Sequence, residues 1–180
     1  MFILYIVIAV LVISVIVVYN SLATSKVAID EALSGIEVQL KRRADLVPNI
    51  IETVKGYAKH ETGVFDRVSE AREKMLSASN IKEEAKADNM LSGALKSVFA
   101  IAESYPDLKA SSNFSSLQSE LSDLEAKISY ARQFYNSNVK NYNNKIVTFP
   151  SNLLASAFNF KKADFFDAEE GVENPVPVKF

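Results

Sequence analysis

The chain contains no cysteine, which removes disulfides, thiol nucleophiles and thiolate metal sites together and fits a reducing compartment. Its one histidine, His60, stands between Lys59 and Glu61. A Ser-His-Asp relay needs a His oriented by a carboxylate, and a solvated helix face suits this one better. Neither HExxH nor CxxC occurs, so catalytic zinc has no ligand set. The five glycines are scattered and form no GxGxxG or GxxxxGK[ST] loop to cradle a phosphate. Carboxylate neighbours such as Glu83-Glu84 and Glu169-Glu170 diverge by about 100° on a helix, which favours solvent over shared acid–base work. A net charge of -2 argues against a nucleic-acid binder that relies on a basic surface. No catalytic residue, cofactor site or metal site is therefore assigned. The scarcity of Gly and Pro, five of each, favours helix over sheet.

What the chain does have is one long uncharged run, Phe2 to Tyr19, FILYIVIAVLVISVIVVY, interrupted only by Ser14. As a helix it spans about 27 Å at ~1.5 Å per residue, close to the ~30 Å hydrocarbon core of a bilayer. A cleaved signal peptide needs a basic start, a shorter apolar core and a small-x-small site. Ser21-Leu22-Ala23 is a poor version of that site, and the run is too long. Residues 1–21 are read as a transmembrane anchor. Lys26, then Lys41, Arg42 and Arg43, follow the run and none precedes it, which places the N-terminus outside and the domain in the cytoplasm.

From Leu22 the positions Leu22, Ile29, Leu33, Ile36 and Leu40 recur at helical spacing. Nothing between Tyr19 and Val27 breaks a helix, so the anchor is expected to continue as one rod to Lys41-Arg42-Arg43. Asp45 and Pro48 then suit the cap and first turn of a second helix, although the apolar register also runs through them. That helix would bury Val47, Ile51, Val54, Ala58, Phe65, Val68 and Met75 and end near Ser77 to Asn80, with a bend around His60 to Gly63. A third helix follows Ile81, Ala85, Leu91, Leu95, Val98 and Ala102 and stops before Pro106. Ser112 and Asn113 are available to cap the fourth. Its stripe runs Leu117, Leu121, Leu124, Ile128, Ala131, Tyr135, Val139, Tyr142, Ile146 and Phe149. Four amphipathic helices with short links predict an up-and-down bundle over residues 22–149.

Three features invite a functional reading. Lys41-Arg42-Arg43 could bind anionic headgroups, but a rigid rod would lift it well clear of the bilayer, and pairing with Asp45 or Glu52 is preferred. The series Tyr130, Tyr135, Asn136, Asn138, Tyr142, Asn143 and Asn144 could form a recognition face, or serve as core and buried hydrogen bonding. The Phe-rich stretch 149–166, with Lys161-Lys162 inside it, suits interfacial membrane contact or partner docking as well as it suits folding back to close the bundle end. Residues 150–180 complete the chain, and Asn174 to Phe180 read as an extended or disordered tail.

Four blocks in this order resemble the LemA family: QLKRRADLVPNIIETVKGYAKHE (Gln39 to Glu61), AESYPDLKASSNF (Ala102 to Phe114), ARQFYNSNVKNYNNKI (Ala131 to Ile146) and FPSNLLASAFNFKKADFF (Phe149 to Phe166). Ser111 and Ser112 make the link before the fourth helix richer in Ser than the family pattern. The resemblance implies a bacterial membrane protein with an N-terminal anchor, an outside N-terminus and a four-helix cytoplasmic domain. It implies no reaction, cofactor or catalytic residue.

The expected protein is all-α, with a transmembrane helix continuing into a four-helix bundle. Its expected partners are membrane lipid through residues 2–19 and either a protein or further copies of itself, so that it acts as a non-enzymatic scaffold or adaptor. The alternative is an enzyme or enzyme subunit acting on lipid or envelope substrates, with Glu52, His60, Glu103 and Arg132 as the residues to test. A third reading exports the processed domain.

Overall fold

A computed structural model describes residues 1–166; the acidic run from Asp167 and the tail from Asn174 lie outside them. Among the described residues the fold is all-helical: α1 (Phe2–Lys55), α2 (Thr62–Ser77), α3 (Ile81–Ala102), the short α4 (Pro106–Lys109), α5 (Ser112–Val147) and α6 (Ser151–Ala157). The chain forms two compact units. One comprises Met1–Gly35 with Ala131–Phe165, the other Ile36–Tyr130 with Phe166. Helices α1 and α5 each contribute to both.

The expected break at Asp45 to Pro48 is absent: α1 runs unbroken to Lys55 with Pro48 inside it. Proline has no N–H to give the carbonyl four residues back, normally a cost of about 3 kcal/mol inside a helix. Here that carbonyl belongs to Ala44, which is fully buried, and Arg72 Nε donates to it at 2.9 Å. A side chain from α2 thus replaces the bond that Pro48 cannot make. The interruption falls at Gly56 to Glu61 instead, where Gly56 is the poorest helix former in the segment. Arg72→Met should destabilise the fold by about 1–3 kcal/mol, the cost of an unsatisfied buried carbonyl. In a Pro48→Ala background, which restores the N–H, the same change should cost much less; urea unfolding of the four proteins in detergent measures the difference.

The remaining registers of the 36–130 unit follow the sequence closely. Val47, Ile51, Val54, Ala58, Phe65, Val68 and Met75 are all buried, as are Ala85, Leu91, Leu95, Val98 and Ala102 of α3. Each large aliphatic side chain so buried contributes about 1.5–3 kcal/mol. Helix α3 starts at a capping arrangement: Asn80 Oδ1 accepts from the Glu83 N–H at 3.0 Å, while Glu83 Oε2 accepts from the Ser79 N–H at 2.9 Å. These bonds satisfy donors that a helix start leaves orphaned. Pro106 opens α4, and α5 begins after Ser111, whose Oγ faces the Phe114 N–H at 3.5 Å; Ser111 thus takes the capping place expected of Ser112 or Asn113.

In the other unit α5 ends at Val147, and α6 closes in a Schellman turn. The Phe160 N–H donates to the Ala155 carbonyl at 2.9 Å and the Asn159 N–H to the Ser156 carbonyl at 3.2 Å. Asn159 takes a left-handed φ of 56°, which Asn tolerates better than most residues because its short side chain bonds locally. The turn brings Phe158 and Phe160 to the same place, against the ring of Tyr19, at 4.9 and 5.8 Å between centroids. From Phe149 to Phe165 the Phe-rich stretch therefore folds back within this unit.

Candidate membrane segment and buried ion cluster

Helix α1 carries the one segment among the described residues that is long and apolar enough to cross a membrane. Apolar side chains cover it all round, and from Phe2 to Val17 every residue is exposed. A core helix of a soluble protein would instead be mostly buried. Its one serine is internally satisfied, since Ser14 Oγ donates to the Val10 carbonyl at 2.8 Å, and that hydroxyl is not left asking for water.

Just past Tyr19 the helix is gripped from α5. Lys145 Nζ lies 3.0 Å from Ser21 Oγ and 2.7 Å from Ser25 Oγ. The Tyr and Asn series on α5 divides. Tyr135 and Tyr142 are buried, while Tyr130 is exposed. Tyr135 donates through its hydroxyl to the Asp164 carbonyl at 2.9 Å. The Asn143 side chain gives and receives a bond with the Ala163 backbone, both at 2.9 Å. These residues fasten the segment after α6 to α5, the hydrogen-bonding role that the sequence left open.

In the 36–130 unit a charged cluster lies at the core. Arg43 is 3% exposed; its Nη1 sits 2.7 Å from Asp88 Oδ1 and its Nη2 2.8 Å from Glu125 Oε2. Asp88 is equally buried and Glu125 more than half exposed. The expected pairing of the basic cluster with Asp45 or Glu52 is thereby replaced for Arg43, and because α1 continues, these cations do not end a helix. Lys41 and Arg42 remain exposed. Asp88 and Glu125 escaped the sequence reading, although a signal existed. Asp88 occupies a position of the stripe Ala85, Leu91, Leu95, and Arg43 one of the stripe Leu40, Ala44, Val47, where a charge needs a partner of opposite sign.

Beside this cluster's helices an open groove of ≈ 230 Å³ is lined by Glu37, Leu40, Lys41, Met75, Leu76 and Glu84. Glu84 Oε2 is buried in it without a hydrogen-bond donor among the described residues. Burial first, and the Glu37 carboxylate second, push the Glu84 carboxyl above its ordinary value. A raised carboxyl favours protonation in the folded state, so its stabilising contribution is complete below the unfolded pKa and lost as pH rises through the folded one. Glu84→Gln should accordingly raise the melting temperature at neutral pH and lose that advantage at acidic pH. Thermal melts across that range provide the check.

The residues named for the enzymatic alternative are spread over several elements. Glu52 and His60 are exposed, and Glu103 pairs with Lys109 at 3.2 Å on the surface. Arg132 belongs to the other unit. Among the described residues no group of three or more His, Asp or Glu side chains is placed to hold a metal ion.

A family model described as the LemA family matches residues 32–180. The magnetosome protein MamQ 1 of Paramagnetospirillum magneticum is 24% identical over 88% of this chain and 68% of its own length. MamQ of Magnetospirillum gryphiswaldense gives the same figures. Protein LemA of Metamycoplasma hominis is 28% identical over 84% of this chain and 69% of its own. With its apolar first helix, the chain is that of a membrane-associated helical protein, and over four-fifths of its length, from residue 32 onward, it belongs to the LemA family.

Proposed function

We propose that this protein performs no chemistry of its own and serves as a single-pass membrane scaffold, assembling with further copies of itself in the plane of the bacterial cytoplasmic membrane. The carrying observation is the uncharged helix, exposed on every side and clamped where it leaves the apolar run by Lys145 on Ser21 and Ser25. A tether meant to let an enzyme search would be flexible; this one holds its unit at a set height above the bilayer. The helices are read as an up-and-down four-helix bundle on the cytoplasmic side, an orientation supported by the cations Lys26 and Lys41 to Arg43 after the run. None of the three relatives above is named for a reaction.

Crosslinking in intact cells, followed by sizing of the detergent-solubilised protein, tests the assembly. Ladders of multiples of the chain are expected. A protein that stays monomeric in detergent and yields no crosslinked species would count against the scaffold. Protease added outside the cell should leave the C-terminal residues uncut, and cleavage there would reverse the orientation.

A further inference from the structure

We propose that the segment from Phe149 to Phe160 is a second membrane contact, a collar of apolar side chains lying in the interfacial layer of the bilayer beside the point where α1 emerges. The inference rests on the reading of residues 2–19 as membrane-spanning and adds a surface that the apolar run does not contain.

The geometry follows from a few fixed contacts within one unit. Tyr19 closes the apolar run, so it lies at the edge of the hydrocarbon, where an amphipathic ring is favoured. The rings of Phe158 and Phe160 touch that ring and share its depth. Lys145, in the last turn of α5, bonds to Ser21 and Ser25, the residues just beyond Tyr19. Three residues earlier on α5, Tyr142 feels the charge of Asp30, further along α1. Helix α5 therefore runs back toward the bilayer and ends beside it. The turn and α6 that follow are delivered to the surface of the membrane.

The side chains displayed there are of the right kind. Phe149 is 79% exposed and Leu153 62% exposed, and Phe158 is exposed by half. Phe149 and Leu153 leave most of their apolar surface to water, and Phe158 half of its own beside Tyr19, whereas each buried CH₂ in a bilayer would be worth about 0.8 kcal/mol. Lys161 and Lys162 follow directly and are exposed, which suits snorkelling to lipid phosphates. Continuity with the apolar run at Tyr19 is what selects lipid over a second copy as the occupant.

The chain contains no Trp, so a single substitution introduces a unique fluorescent reporter. The full-length protein is reconstituted in vesicles of phosphatidylcholine and phosphatidylglycerol as four variants: Tyr5→Trp, Phe149→Trp, Leu153→Trp and Phe134→Trp. Phe134 is exposed on α5, some 20 Å before its end at ~1.5 Å per residue. Lipids brominated near the glycerol should quench Phe149→Trp and Leu153→Trp, and iodide should quench them several-fold less than Phe134→Trp. Lipids brominated along the acyl chain should quench Tyr5→Trp, which lies within the run about 8 Å from its middle at ~1.5 Å per residue. If Tyr5→Trp is quenched there while the two collar variants are as open to iodide as Phe134→Trp, the collar is wrong and the anchor stands. Collar variants shielded from iodide yet untouched by brominated lipid would show a protein occupant and overturn the proposal. A Tyr5→Trp variant untouched by either lipid would overturn both readings.

Discussion

Arg43→Met should destabilise the folded chain by about 3–5 kcal/mol, the usual cost of stranding one member of a buried ion pair. Total stabilities of roughly 5–15 kcal/mol are normal for a domain, so this one change removes a large share. The cause is Asp88, which is 1% exposed and would lose the guanidinium 2.7 Å from its Oδ1. Glu125 matters less, because more than half of its side chain already meets solvent. Arg43→Met combined with Asp88→Leu should recover most of the loss, since replacing both charges with apolar groups of similar volume is often neutral or better. Arg43→Lys should fall between, because an ammonium lacks the fork that reaches two carboxylates at once. Urea unfolding in detergent measures all four proteins. A loss below about 1 kcal/mol for Arg43→Met would mean that water reaches Asp88 and that the cluster behaves as a surface pair.

Ile8→Arg combined with Val12→Arg should release the protein from the membrane. Each arginine near the centre of a spanning helix costs about 2.5–3.5 kcal/mol on the insertion scale, so the pair costs ~5–7 kcal/mol. Both positions are exposed and have no acidic neighbour in the run from Phe2 to Tyr19. Carbonate extraction of membranes should leave the parent chain in the pellet and send the double variant to the supernatant. Retention of the double variant would show that the run is not what holds the protein to the membrane.

Much of the fold was legible because helical propensity and apolar spacing are local properties. The stripe of α3 matched closely. That of α5 is buried at Leu121, Leu124, Ile128, Tyr135, Val139 and Tyr142, while its expected end, Phe149, lies past Val147 and is exposed. The stop before Pro106 followed from the steric restriction that proline places on its predecessor. The failure at Pro48 was equally physical. Proline disfavours a helix interior, and the rule gave way only because Arg72 supplies a donor from α2. Cations at Lys41 to Arg43 fit a helix end, and a continuous α1 turned one of them inward instead. For the Phe-rich stretch, composition allowed both folding back and membrane contact. The structure shows the first, by Asn143 and Tyr135 gripping the backbone at Ala163 and Asp164. The exposure of Phe149 and Leu153 keeps the second in play as a surface of the folded segment.

By itself the sequence determined that the chain is helical, that its first helix is apolar enough for a bilayer, and that the familiar catalytic constellations are missing. These follow from composition and from neighbours within a few turns. Only the tertiary structure decided where α1 ends, which cation is buried and what holds the helix as it leaves the apolar run. Each depends on a lost hydrogen bond or a buried charge being satisfied from far along the chain: Arg72 to Ala44 across 28 residues, Arg43 to Asp88 across 45 and Lys145 to Ser21 across 124. Propensity acts over one turn of helix, whereas a buried polar group accepts any partner that the fold brings within reach.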